Sequence, residues 1–211
     1  MDFEAFRERQ RTLDGMQDIL LTWKKVQSDY YPDTPKYLQW LVFRTMLAYG
    51  LKAESYMTLD EDFSPLSCAG PDKPDICVFE NSRGYALEVT ERPLQGKIEH
   101  YSHIDWMLRR YSIQRGIGCL VTRVDTPGVP PEVWSAFRGE LLHSGRLFMV
   151  CGVGFLMDLL DKAPKTCGQE FIDFLAEAEG IWTKSRDWRE VRKHTVQLQE
   201  SLLSKSRTNE T

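Results

Sequence analysis

The segment Gly70-Pro71-Asp72-Lys73-Pro74-Asp75-Ile76-Cys77-Val78-Phe79-Glu80-Asn81-Ser82-Arg83-Gly84-Tyr85-Ala86-Leu87-Glu88-Val89-Thr90 decides the fold. Ile76–Phe79 and Tyr85–Val89 read as strands. They bracket Asn81-Ser82-Arg83-Gly84, which predicts a hairpin with a loop of about four residues. Successive side chains of a strand point to opposite faces. Ile76, Val78, Leu87 and Val89 therefore turn to the core, and Asp75, Cys77, Ala86, Glu88 and Thr90 share the other face. With residues 81–84 as the loop, Glu80 pairs with Tyr85, Cys77 with Glu88 and Asp75 with Thr90. Asp75 and Glu88 are then diagonal neighbours, roughly 7–8 Å apart along the backbone. Two carboxylates converging on a half-buried face repel each other unless a cation lies between them. An oxygen-only ligand set of this kind suits Mg²⁺. The plainer reading of the same pattern is an edge hairpin with solvent-facing acids.

Working outward from the hairpin, Phe3, Phe6, Leu13, Met16, Ile19, Leu20, Trp23 and Val26 predict one amphipathic helix over residues 3–28. Tyr30–Pro35 interrupts it, and a largely apolar helix follows at about 35–49, ended by Gly50. Ser55–Leu59 reads as a strand and Ser64–Lys73 as irregular. Beyond the hairpin come a helix over about 95–114, a β-rich run at 118–124, a helix at 130–143, a strand at 146–151 and a short helix at 155–160. Residues 168–205 read as mostly helical and increasingly polar. Gly116-Ile117-Gly118 and Gly152-Val153-Gly154 lack the further glycines of a nucleotide loop and read as turns. A hairpin followed by strand–helix crossovers implies class α/β (α+β), a mixed central sheet with helices on both faces.

A chain of 211 residues, 42% hydrophobic and 27% charged, fits one globular domain and excludes a disordered chain. The net charge of −4 excludes a polycationic nucleic-acid coat but not a nuclease, whose acids subtract from the count. The cysteines (68, 77, 119, 151 and 167) are odd in number and form no CxxC pair. Reduced, buried thiols in a cytoplasmic protein are expected. The acidic start Met1-Asp2-Phe3-Glu4 and the absence of a long apolar run argue against a secretory signal or a membrane helix.

Gln95, Glu99 and His103 recur at every fourth position and share a helix face, either lining a groove or forming a solvated stripe. His100 and His103 lack the further ligands of a zinc site. Arg83, Arg92, Arg109, Arg110, Arg115 and Arg123 make residues 83–123 locally basic, as phosphate contact requires. Trp182–Lys193 interleaves aromatics with bases. It reads as a nucleic-acid surface, a partner-docking surface, or a packed terminal helix with a wet outer face.

Pro74-Asp75, followed after twelve intervening residues by Glu88-Val89-Thr90, resembles the PD-(D/E)xK nuclease signature, with Thr90 in place of the usual Lys. Glu-Val-Thr in that slot is similar to AlwI-type (type IIS or nicking) restriction endonucleases, and the resemblance spans roughly residues 35–162. It implies a restriction-endonuclease-like αβββαβ core and Mg²⁺-dependent hydrolysis of DNA phosphodiesters, with Mn²⁺ able to substitute. Asp75 and Glu88 match the metal-binding acids, and the Val89 carbonyl would be a third ligand. Thr90 carries no charge comparable to the lysine that orients or activates water, so either Gln95 or Lys97 would reach in from the next helix or the metal-bound water would suffice. Glu99 would orient water or a second metal. His103, Arg83, Arg92, Lys97, Arg109 and Arg110 would contact DNA. Gln39 stands where the first helix of such nucleases often carries a Glu.

The resemblance divides the chain into an N-terminal helical extension (1–34), a catalytic core (35–162) and a C-terminal helical extension (163–211). Neither extension is large enough for a separate site-recognition domain, whose interface would bury on the order of 1,000 Å². Specificity on double-stranded DNA is then expected from a larger DNA-recognition subunit or a second copy, with no membrane involved. The N-terminal helix and the Trp182/Trp188 segment are the expected docking surfaces. Two other readings stand beside this one. The first is a catalytically weak nuclease-fold subunit for DNA binding or dimerisation. The second is an unrelated α/β interaction protein.

Overall fold

The structure is a computed structural model that describes residues 2–80, 82–91 and 99–208. Five strands form one mixed sheet in the order β1 (Lys52–Ser55), β4 (Ile76–Glu80), β5 (Arg83–Thr90), β6 (Arg115–Thr122) and β7 (Phe148–Gly152). The pairs β1–β4 and β4–β5 are antiparallel; β5–β6 and β6–β7 are parallel. Helix α4 (Glu99–Tyr111) connects β5 to β6, and α5 (Pro131–Ser144) connects β6 to β7. The strand expected at 55–59 divides into β1 and β2 (Thr58–Leu59). The segment expected to be irregular holds β3 (Pro65–Ser67), which pairs with β2 beside the main sheet.

The hairpin is tighter than its sequence suggests. Glu80 pairs with Arg83 and Cys77 with Ala86, so the connection is residues 81–82 and the register moves by two. An even shift keeps every residue on its face. Carried one residue further, it sets Asp75 directly across from Glu88 rather than diagonally. Arg83 and Gly84 belong to the strand because they pair with Arg115 and Gly116 of β6. Neither face of the hairpin is half-open: Cys77, Ala86, Ile76 and Leu87 are all fully buried.

The paired glycines explain how α4 settles there. A Cβ on Gly84 would fall 2.5 Å from Ile113 and 3.0 Å from the Met107 sulfur, and one on Gly116 would fall 2.8 Å from Ile104. Gly116 and Gly118 are therefore not turn residues but strand residues whose missing side chains admit a helix and a ring. The second glycine pair is a strand-to-helix junction, with Gly152 ending β7 and Gly154 inside α6 (Val153–Lys162). At Gly118 a Cβ would lie 2.1 Å from the Phe148 ring, itself packed on Tyr101 and Phe137. Gly118→Ala should lower stability by about 1–3 kcal/mol through overpacking. Urea unfolding measures this, and an unchanged midpoint would mean that Phe148 has room to move.

The expected helix over 3–28 is two, α1 (Phe3–Gln10) and α2 (Leu13–Gln27). Thr12 caps α2 by accepting from the Gly15 N–H, 3.1 Å away. A Cβ on Gly15 would sit 2.0 Å from the Arg9 carbonyl, so the bend needs glycine there. The next helix, α3 (Thr34–Ala48), packs on β1, β4 and β5. Its buried Arg44 donates to Gln10, to Asp18 at 2.6 Å and to Thr22, binding all three helices together. Helices α7 (Cys167–Lys184) and α8 (Trp188–Thr208) are the last among the described residues. Trp182 is fully buried and stacked on Trp134, with ring centroids 5.7 Å apart. Arg138 of α5 donates to the Trp182 and Ser185 carbonyls, which closes the end of α7. All five cysteines are free; Cys77, Cys119, Cys151 and Cys167 are buried in β4, β6, β7 and α7. No helix among the described residues is long and apolar enough to cross a membrane.

Candidate active site

Asp75 lies one residue before β4, where Tyr56 N–H and Ser55 Oγ hold its carbonyl. Its side chain is held at both oxygens. Oδ1 accepts from Gln39 Nε2 at 2.8 Å, and Oδ2 accepts from the Val89 N–H at 2.7 Å. The Gln39 amide is fixed in turn, because its oxygen accepts from the Ala69 N–H at 3.0 Å. Burial, reinforced by the nearby charge of Glu88, pushes the Asp75 carboxyl up to about 8 against the opposing pull of the Val89 N–H and His103.

Glu88 is 4% exposed, and its Oε1 lies 2.7 Å from His103 Nδ1. The other ring nitrogen of His103 lies 2.9 Å from the Pro71 carbonyl. A carbonyl only accepts, so Nε2 carries a proton. The bond to Glu88 raises the imidazole above its ordinary value, against the effect of burial. His103 is thus set against Glu88, four residues before Met107, which covers Gly84 on the same strand.

The expected site residues separate into groups. Asp75 and Glu88 come together, with Val89 between them at the end of β5. Thr90 is the last residue of β5, half-buried, and its carbonyl accepts from Arg123 N–H. Gln95, Arg92 and Lys97 lie outside the described residues, and Glu99 opens α4 with its side chain also outside them. His103 belongs to the site but not as a phosphate contact, since it is 6% exposed and both ring nitrogens are engaged. Arg83 sits at the opposite end of β5 from Glu88, and with Arg115 it pairs with Glu179. Arg123 is occupied by Asp29, Glu91 and the Gln27 carbonyl. Arg109 and Arg110 are exposed on the last turn of α4. Arg109 lines a cleft of about 490 Å³ with Pro71, Asp72, Ser102 and Trp106, beside the carbonyl that holds His103.

The Pro71 carbonyl and the Val89 N–H are parts of the site that sequence reading did not find. Both are main-chain groups, and no side-chain pattern marks them. Among the described residues no three His, Cys, Asp or Glu side chains gather as a metal cluster. The donor set is two carboxylates, Asp75 and Glu88. This fits Mg²⁺, which keeps several waters and takes few protein ligands. It does not fit zinc.

No protein-family model and no curated protein matches the chain. Among solved structures it is similar to the small subunit of the heterodimeric restriction endonuclease R.BspD6I. The TM-score is 0.63 and the identity 13%, over 88% of this chain and 98% of that one. The likeness shows the fold: a restriction-endonuclease-like mixed sheet flanked by helices.

Proposed function

We propose that the chain is a divalent-metal-dependent endodeoxyribonuclease of the PD-(D/E)xK kind, with an AlwI-type pattern. In this reading it is the cutting or nicking subunit of a cytoplasmic restriction or DNA-defence system. The observation that carries the reading is the convergence of Asp75 and Glu88, each oriented by its own partner. Two buried acids placed against each other destabilise a fold that does not use them. Gln39 and the Val89 N–H fix Asp75, and His103 fixes Glu88.

Asp75, Glu88 and the Val89 carbonyl would hold Mg²⁺ or Mn²⁺. A divalent cation supplies charge there that lowers the pKa of a water and offsets the negative charge growing on a phosphate. Thr90 offers only a hydroxyl at the position of the family lysine. Arg109, which lines the cleft, and the exposed Arg110 beside it in sequence would contact the phosphate backbone, and double-stranded DNA is the substrate. The partner is a larger DNA-recognition subunit or a second copy; the name of the similar structure, a small subunit of a heterodimeric enzyme, supports a partner.

A second reading, a catalytically weak subunit for DNA binding or dimerisation, draws on the neutral Gln39 and Thr90. Incubating supercoiled plasmid with the purified chain and Mn²⁺ separates the two. The nuclease reading expects nicks without site preference and measurable nicking by Thr90→Ala. Complete loss in Thr90→Ala would give the hydroxyl an essential role, and no nicking by the wild type would favour the weak subunit. DNA binding by the chain alone should be weak and should fall steeply with added salt, as phosphate contacts do. Gel shift across a salt series follows it, and tight, salt-insensitive binding to one sequence would remove the need for a partner.

A further inference from the structure

A groove of about 520 Å³ lies between α2, α6 and α8, reaching the residues that follow β6. Trp23, Phe155 and Met157 form apolar walls, and Asp125, Asp158, Asp161 and Glu200 bring four carboxylates to it against one lysine, Lys24. Asp158 pairs with Lys162, whereas Asp125, Asp161 and Glu200 form no ion pair among the described residues. Gln199 also lines the groove, although it is only 6% exposed. Its amide nitrogen lies 4.0 Å from the Cys151 sulfur, and its oxygen adds one more acceptor to the lining.

The lining is thus rich in acceptors and poor in donors, with apolar walls. A guanidinium matches it: planar, always charged, with five N–H groups and a weakly hydrated face that lies well on aromatic rings. The volume suits one such side chain with an apolar neighbour. Leu13, Leu20, Lys24 and Gln27 recur along one face of α2, and the last three line the groove. Leu13 is 70% exposed, so the same face carries an apolar strip beyond the groove. DNA is excluded as the occupant, since the carboxylates would repel its phosphates.

We propose that this groove is a docking site for another polypeptide, which inserts an arginine flanked by an apolar residue. That the polypeptide is the recognition subunit rests on the nuclease reading; the chemistry of the groove does not.

The test is selection of random dodecapeptides displayed on phage against the full chain, with Asp161→Lys/Glu200→Lys as counter-selection. Selected peptides should share an arginine beside an apolar residue. Replacing that arginine by citrulline, its neutral isostere, should weaken binding about tenfold. The isosteric Asp161→Asn/Glu200→Gln pair should also weaken it, and it guards against misfolding of the lysine variant. Peptides without a cation, binding unaffected by these changes, or no enrichment at all would overturn the proposal. Concentration-dependent dimerisation of the wild type, lost in the lysine variant, would give the groove to a second copy and overturn it as well. Plasmid nicking is measured in parallel. Peptide binding without nicking sinks the nuclease reading alone, and nicking without peptide binding sinks the groove alone.

Discussion

Asp75→Asn and Glu88→Gln should each weaken Mn²⁺ binding by about 100-fold or more, beyond what loss of an outer-shell partner does. Plasmid nicking should fall on the order of 10³-fold, the scale at which a main electrostatic contribution is lost. The fold should survive, most clearly for Asp75→Asn. In the metal-free chain burial and Glu88 push the Asp75 carboxyl up to about 8, so its ionised form opposes folding there. A neutral isostere removes that cost but turns an amide donor toward Gln39 Nε2 or the Val89 N–H, so the thermal unfolding temperature without metal should shift little. Glu88→Gln also disturbs the buried bond to His103 and should be the less stable of the two. Titration calorimetry with Mn²⁺ decides it: two unchanged isotherms in folded variants would remove both residues from any metal site.

The second large effect concerns Trp182. Its side chain is completely buried against Trp134, and its carbonyl takes a hydrogen bond from the buried Arg138. Trp182→Ala should therefore destabilise the chain by about 3–5 kcal/mol through the cavity left behind. Trp188 is half-buried, with Arg189 lying over its ring 4.8 Å from the centroid. Trp188→Ala should remain within about 1 kcal/mol. Urea denaturation of both variants tests the contrast. Similar small losses would return Trp182 to the surface, where an aromatic–basic pattern first suggests it belongs.

That pattern shows where sequence ends as a guide. Alternation along Ile76–Phe79 and Tyr85–Val89 was enough for the hairpin and for which residues share a face, because the two-residue period of a strand survives an even slip in register. It was not enough for the loop length, which depends on Gly84 pairing with a strand more than thirty residues later. The apolar positions of residues 3–28 keep helical spacing through the break at Thr12 because both helices press on the same core, so periodicity passes over the bend. Gly116 and Gly118 look like turn residues by themselves. Only Ile104, Leu108 and Phe148, crowding where Cβ atoms would be, make them strand residues.

The candidate site divides the same way. Asp75 and Glu88 were legible as a converging pair from strand geometry alone. His103 was legible as a residue on the right helix face, but its part was not: the ring is turned to Glu88 and Pro71 by burial, which spacing does not encode. The arginines show the opposite failure. Arg83 and Arg123 satisfy a local count of basic residues, yet ion pairs with Glu179, Asp29 and Glu91 occupy them. The Pro71 carbonyl and Val89 N–H leave no trace in residue types, since every residue but proline carries both groups.

The buried thiols turn the molecule into a set of clocks. Only a thiolate attacks an alkylating reagent. Burial pushes Cys77 and Cys119 up to about 12 and Cys167 up to about 11, and holds Cys151 well above its usual range. Each stays silent until the element around it opens, so its labelling rate times that opening rather than any chemistry of the sulfur. Cys68, only half-buried on its loop, starts first and marks zero time. Mass spectrometry of a labelling series would then give the order in which β4, β6, β7 and α7 come loose, with no probe added to the chain.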